Sequence, residues 1–94
     1  MEIPEIKLVP APDTPEAKAA IGYRYNNDAG NRHKLGGSPD FIQGAEWPIC
    51  CEGKTTFYAQ IDSIGDDYDL ADCGMIYVFV CFRCFETRSF LHAY

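Results

Sequence analysis

The sequence predicts a mainly β, α+β fold: a small antiparallel sheet with one or two short helices. Three observations carry this. The run from Met75 to Phe82 is apolar at eight consecutive positions and rich in β-branched and aromatic residues, which suits a strand better than a helix. The run from Thr56 to Asp62 alternates apolar and polar residues, as a half-buried antiparallel strand does. Turn-forming clusters rich in Pro, Gly and Asn fall at 10–15, 26–31 and 36–39.

In chain order, Glu2 to Val9 reads as an extended segment with Ile3, Ile6, Leu8 and Val9 apolar. Pro4 cannot donate to a ladder, so the segment belongs on a sheet edge or forms an arm. Thr14-Pro15-Glu16 has the chemistry of a helix start: a hydroxyl cap, a proline in the first turn and an acid at the positive end of the dipole. Ala17 to Ala20 continue the helix and Gly22 stops it, about two turns that need packing to persist. Tyr23 and Tyr25 frame a brief extended piece before a turn over 26–31. Arg32-His33-Lys34 reads as an exposed basic loop. Gly36-Gly37-Ser38-Pro39 is a sharp turn before Phe41-Ile42 and Trp47-Pro48. In the strand from Thr56, the alternation places Phe57, Ala59 and Ile61 on one face, with Tyr58 and Gln60 on the other. The Met75–Phe82 run reads as a central strand covered on both sides. Thr87 to Tyr94 is expected to return antiparallel to it, with Cys84-Phe85-Glu86 near the turn.

The 94 residues are expected to form a single domain, 1–94, burying about 60–65% of the unfolded chain's surface. The composition is globular: 47% hydrophobic, 14% aromatic and 23% charged. The net charge of −6 argues against nucleic acid and against anionic membrane surfaces. No apolar run reaches the ~20 residues of a membrane helix, and the start Met-Glu-Ile-Pro-Glu lacks signal-peptide character, so a cytoplasmic location is expected. The charge is uneven. Residues 1–39 hold five acids and five bases, residues 40–72 hold eight acids and one base, and residues 73–94 hold one acid and two bases. Asp66, Asp67, Asp69 and Asp72 fall within seven residues, a surface that suits a basic partner because charge complementarity steers association.

Five cysteines stand at 50, 51, 73, 81 and 84, an odd count that suits a reducing compartment. Cys81-x-x-Cys84 has the spacing of a zinc knuckle, and zinc needs two further ligands. Cys50 and Cys51 make a poor second pair if the chain is extended there, since neighbouring side chains then point to opposite faces. The expected state is therefore free of cofactor, with Cys73 and Cys81 as small core residues. Zinc held by Cys50, Cys51, Cys81 and Cys84 is the alternative. A redox pair is disfavoured because Cys81 follows a β run rather than opening a helix.

The segment Lys34-Leu35-Gly36-Gly37-Ser38-Pro39-Asp40-Phe41-Ile42-Gln43, with Trp47-Pro48-Ile49-Cys50, Phe57-Tyr58-Ala59-Gln60-Ile61-Asp62 and Cys73-Gly74-Met75-Ile76-Tyr77-Val78-Phe79-Val80-Cys81, resembles the YwqG-like family of uncharacterised bacterial proteins. The resemblance covers roughly residues 34–84 and implies a mainly β fold, with no reaction to transfer. Relatives often carry Cys-x-x-Cys-Gly where this chain has Cys50-Cys51-Glu52-Gly53, and a Gly after the second pair where it has Phe85.

No catalytic signature is present. His33 and His92 have no nucleophile at triad spacing, and Asp67-x-Asp69 lacks the Gly and Glu of a calcium loop. Gln43 and Gln60 read as buried amides that satisfy backbone groups. The expected function is a non-enzymatic interaction module: a small acidic immunity protein or inhibitor that neutralises a toxin or another basic protein. Its expected contact residues are Asp66, Asp67, Tyr68, Asp69 and Asp72, with Trp47 and Tyr58 as aromatic anchors. A zinc-binding module using the cysteine pairs is the alternative, and a homodimer through an unpaired sheet edge is a further possible assembly.

Overall fold

A computed structural model describes residues 1–24 and 29–94, so Tyr25 and positions 26–28 of the turn expected over 26–31 lie outside the described residues. The fold is mainly β. Strands β1 (Ile6–Lys7), β2 (Lys34–Leu35), β5 (Thr56–Asp62), β6 (Met75–Val80) and β7 (Thr87–His92) form an antiparallel sheet in the order β1-β2-β5-β6-β7. Strands β3 (Ile49–Cys50) and β4 (Gly53–Lys54) form a separate hairpin just before β5. Helix α1 (Pro15–Ala20) begins as its sequence specifies, with Thr14 Oγ1 accepting from the Ala17 amide at 3.0 Å. It lies against a 3-10 turn over Asp66–Tyr68 rather than against the sheet.

The register of β5 departs from simple alternation. Phe57 pairs with Phe79 and Ala59 with Val78, so Tyr58 is an extra residue opposite one step of β6. A β-bulge of this kind inverts the parity of everything after it. Phe57, Gln60 and Asp62 therefore share the inner face with Met75, Tyr77, Phe79, Phe90 and His92. Ile61, expected beside Phe57, sits with Ala59, Ile76 and Leu91 on the outer face and is 40% exposed. Strand β6 alternates accordingly: Met75, Tyr77 and Phe79 are buried, and Ile76, Val78 and Val80 are half-buried. The expectation of cover on both sides is thus corrected, because α1 packs elsewhere.

Cover on the inner face comes from the irregular chain between β2 and β3. Phe41, Ile42 and Trp47 pack on the buried cluster of Phe57, Met75, Tyr77 and Phe79, with Trp47 edge-on to Phe79 at 5.1 Å between ring centres. A loop on a core must satisfy its backbone polar groups locally, and inward side chains do so here. Gln60 Oε1 accepts from the Asp40 amide and Tyr77 Oη donates to the Asp40 carbonyl, at 3.0 and 2.8 Å. Tyr77 Oη also accepts from the Ile42 amide. Gln60 thus plays the backbone-satisfying role expected of it, whereas Gln43 is exposed and donates to the Ala93 carbonyl.

The Arg32-His33-Lys34 segment is not an exposed basic loop. His33 and Lys34 are buried, and Lys34 Nζ bridges Glu5 and Asp40 at 2.9 and 3.1 Å. Arg32 donates from Nε and Nη2 to the two oxygens of Asp62, whose side chain has no exposure. Asp62 also accepts from the amides of Gly30 and Arg32. Burial alone would push this carboxyl up, but those four donors outweigh it and hold it below the usual carboxylate range. Removing one partner of such a buried pair leaves a stranded charge, so Asp62→Ala should cost about 3–5 kcal/mol in urea unfolding. Because the folded-state value is depressed, this stability is full above the ordinary carboxylate range and is lost as pH falls through the folded-state value. The unfolding midpoint should therefore drop steeply below about pH 4, and Asp62→Asn should flatten that dependence.

Candidate metal centre

The four cysteines at 50, 51, 81 and 84 converge at one end of the sheet, with all four Sγ atoms within 4.8 Å of one another. Cys50 closes β3. The hairpin then turns on Cys51 and Glu52, with φ of 51° and 63°. Two consecutive left-handed residues make a type I′ turn, which fits hairpin twist but normally uses Asn and Gly. A left-handed conformation costs a Cβ-bearing residue roughly 1–2 kcal/mol. That backbone reversal brings the Cys51 thiol to 3.9 Å from Cys50. The expectation that adjacent cysteines diverge held only for an extended chain, and here the chain turns.

The second pair lies where β6 gives way to β7. Cys81 N–H donates to the Glu86 carbonyl, and Phe85 N–H donates to the Cys81 carbonyl at 2.7 Å, closing a tight loop. Phe85 takes φ of 63°, a position that glycine occupies without strain. The loop carries Cys84 Sγ to 3.5 Å from Cys50 Sγ. Arg83 Nη1 donates to the Cys51 carbonyl at 2.9 Å, tying the two loops directly. Cys81 is buried, Cys50 half-buried, and Cys51 and Cys84 are exposed.

The amides of Cys84 and Arg83 both donate to the Cys81 sulfur and pull its thiol down to about 6. Its neighbours move the other way. Cys50 is pushed up to about 12, first by its hydrogen bond with Cys84 and then by burial, and Cys51 is raised chiefly by Cys84. Four thiols this close cannot all ionise unaided, since each new thiolate meets the charge of the last. A cation removes that barrier. Tetrahedral zinc with Zn–S bonds of about 2.3 Å sets its sulfurs roughly 3.8 Å apart, close to the separations here. The four side chains could thus hold such an ion without rearranging the backbone. Glu86 Oε2 lies 3.8 Å from Cys50 Sγ, while its other oxygen, Oε1, pairs with Arg88 at 3.0 Å.

The remaining sequence-identified residues are dispersed into other roles. Asp66 accepts from the Arg24 amide and pairs with its side chain. Asp69 accepts from Tyr23 Oη at 2.6 Å and from the Cys73 amide, and burial together with this bond pushes the Tyr23 phenol up to about 12. Asp67, Tyr68 and Asp72 are exposed. Trp47 is half-buried and donates to the Thr55 carbonyl at 2.7 Å, while Tyr58 stands 44% exposed on the bulge. His92 is buried against Phe41, Tyr77 and Phe90, with Nε2 near Glu46. His33, just before β2, is buried rather than exposed and accepts through Nδ1 from the Asp62 amide.

Comparison with protein-family models, curated proteins and solved structures finds no match for this chain. The metal-free, reduced protein should titrate its clustered thiols in separate steps, the first near pH 6. Thiolate absorbance in the ultraviolet checks this, and Cys81→Ser should abolish that first step.

Proposed function

We propose that this chain is a small, non-catalytic binding module whose sheet is stapled by a tetrathiolate zinc site at Cys50, Cys51, Cys81 and Cys84. The observation that supports this most directly is the packing of four thiol sulfurs within 4.8 Å, across two loops 34 residues apart in sequence. Four protein ligands complete zinc's tetrahedron and leave no position for a substrate, which is the pattern of structural rather than catalytic zinc. Bound zinc would let all four thiols stay ionised and hold the β3–β4 hairpin against the β6–β7 turn. Arg83 and Arg88 offset part of the resulting negative charge. The zinc reading takes precedence over the metal-free expectation because the turn at Cys51 and Glu52 supplies the second ligand pair.

Native mass spectrometry of protein purified under reducing conditions should give one zinc per chain. Chelation should lower the melting temperature, because metal affinity becomes folding free energy. A metal-free species that melts identically with and without chelator would end this reading.

The partner we infer is a basic protein, as for an immunity protein that neutralises a toxin. Asp67, Tyr68 and Asp72 support it, because they are exposed and project from the acidic segment while Asp66 and Asp69 bind within the chain. Reversing Asp67 and Asp72 to Lys should slow association with a basic partner and flatten its salt dependence, read by stopped-flow or surface-based kinetics. Kinetics unchanged by the reversal would remove this segment from the interface. We infer a relationship to the YwqG-like family from motifs that fall on β2, β3, β5 and β6.

A further inference from the structure

Cys50 Sγ shares a hydrogen bond with Cys84 Sγ at 3.5 Å, although the two residues lie 34 positions apart on different loops. Cys84 is exposed and Cys50 half-buried, so one thiol of the pair is open to small solutes and the second is within contact distance of it. Cys50 also lies 3.9 Å from Cys51, but these two are poorly placed to be joined. Across a trans peptide, adjacent Cα atoms stand about 3.8 Å apart, short of the roughly 4.4 Å at which disulfides begin, and no cis peptide occurs among the described residues. For Cys50 and Cys84, the sulfurs have only about 1.5 Å to cover to reach the S–S bond length of about 2.05 Å. The two loops are already braced for it, because Arg83 Nη1 donates to the Cys51 carbonyl at 2.9 Å. An exposed thiol poised beside a resolving thiol is the arrangement of an oxidant-sensitive cysteine pair.

We propose that Cys84 and Cys50 are an oxidative modification site, which hydrogen peroxide converts to a disulfide. The consequence for the metal rests on the zinc reading above, but the sulfur chemistry does not. The Cys84 thiolate attacks one peroxide oxygen. An S–O bond forms, the O–O bond breaks, and the departing hydroxide takes a proton and leaves as water. The Cys50 thiolate then attacks the Cys84 sulfur. The S–S bond forms, the S–O bond breaks, and the hydroxyl leaves as a second water with a proton from solvent. Two thiolates, one peroxide and two protons become one disulfide and two waters, with sulfur oxidised and peroxide oxygen reduced. Cys51 and Cys81 alone leave zinc two ligands short of its tetrahedron, so the ion is released. The β3–β4 hairpin and the β6–β7 turn stay joined, by a covalent bond in place of a coordinate one. Small thiols such as glutathione reverse the step by exchange, as suits a compartment in which disulfides are transient.

Hydrogen peroxide treatment of the full chain, purified under reducing conditions and supplied with zinc, tests this through a chromogenic zinc chelator and intact mass spectrometry. Each chain should lose its zinc together with two hydrogens, and peptide mapping should place the new bond between Cys50 and Cys84. Dithiothreitol should restore both thiols. Cys51→Ser removes a zinc ligand yet should still close the Cys50–Cys84 bond, which separates the sulfur chemistry from the metal. Cys50→Ser should abolish that bond and leave Cys84 as a sulfenic acid that dimedone traps. The oxidised wild type should also melt above the reduced chain held in chelator, because the disulfide constrains the unfolded state. Thiols that stay alkylatable under peroxide would overturn the proposal whether or not zinc is bound. So would a disulfide that maps to another pair or joins two chains. A chain that binds no zinc but still closes Cys50–Cys84 would end the structural-zinc reading and uphold the modification site.

Discussion

The extra residue at Tyr58 sets the parity of the whole sheet, and most of the remaining architecture depends on it. A strictly alternating β5 would carry Phe57, Ala59 and Ile61 inward and turn Gln60 out to water. With the bulge, Phe57 still reaches the core, but Gln60 and Asp62 follow it inside. Two polar side chains at the centre of a small β protein demand partners, and the chain is arranged to supply them. The amides of Gly30 and Arg32 turn toward Asp62, and those of Asp40 and Ile42 toward Gln60 and Tyr77. The same parity change expels Ile61 and gives the outer face its aliphatic character.

This explains how a core can form without a helix lying across it. The only α-helix among the described residues has six residues and none of them is buried, so it contributes no cover to the sheet. The chain between β2 and β3 takes that place, and an irregular segment cannot satisfy its own backbone as a helix does. Gln60, Tyr77 and His92 provide the missing hydrogen bonds from below, while Phe41 and Trp47 fill the space between them. Polar groups inside this protein are the means by which a loop is held on an apolar surface.

The fold class was legible because the β6 run, the return of β7 and the cap at Thr14 are local signals that tertiary structure did not override. Strand β5 was legible as a strand but not in its facing, since a single-residue bulge leaves no mark in an alternating pattern. The basic segment at Arg32 misled for a related reason. Its charges are neutralised by Glu5, Asp40 and Asp62, acids at least six positions away in sequence, which spacing alone cannot pair. In the cysteine cluster, Cys81 and Cys84 carried a recognisable spacing. Cys50 and Cys51 did not, because their convergence depends on two left-handed residues that are not glycine.

The placement of the two cysteine loops also bears on how the molecule assembles. The β5, β6 and β7 meander forms by successive antiparallel pairings between neighbours in sequence, which close short loops at modest entropic cost. Only when β5 and β6 are in register does the hairpin preceding β5 come to lie beside the turn following β6. The cysteine cluster is thus a late, non-local contact that reports the register of the central strands: a slip of one residue would separate the two loops and scatter the thiols. An ion bound there would reward the single alignment in which the bulge at Tyr58 is correctly formed, and so would act as a proofreading step on strand pairing.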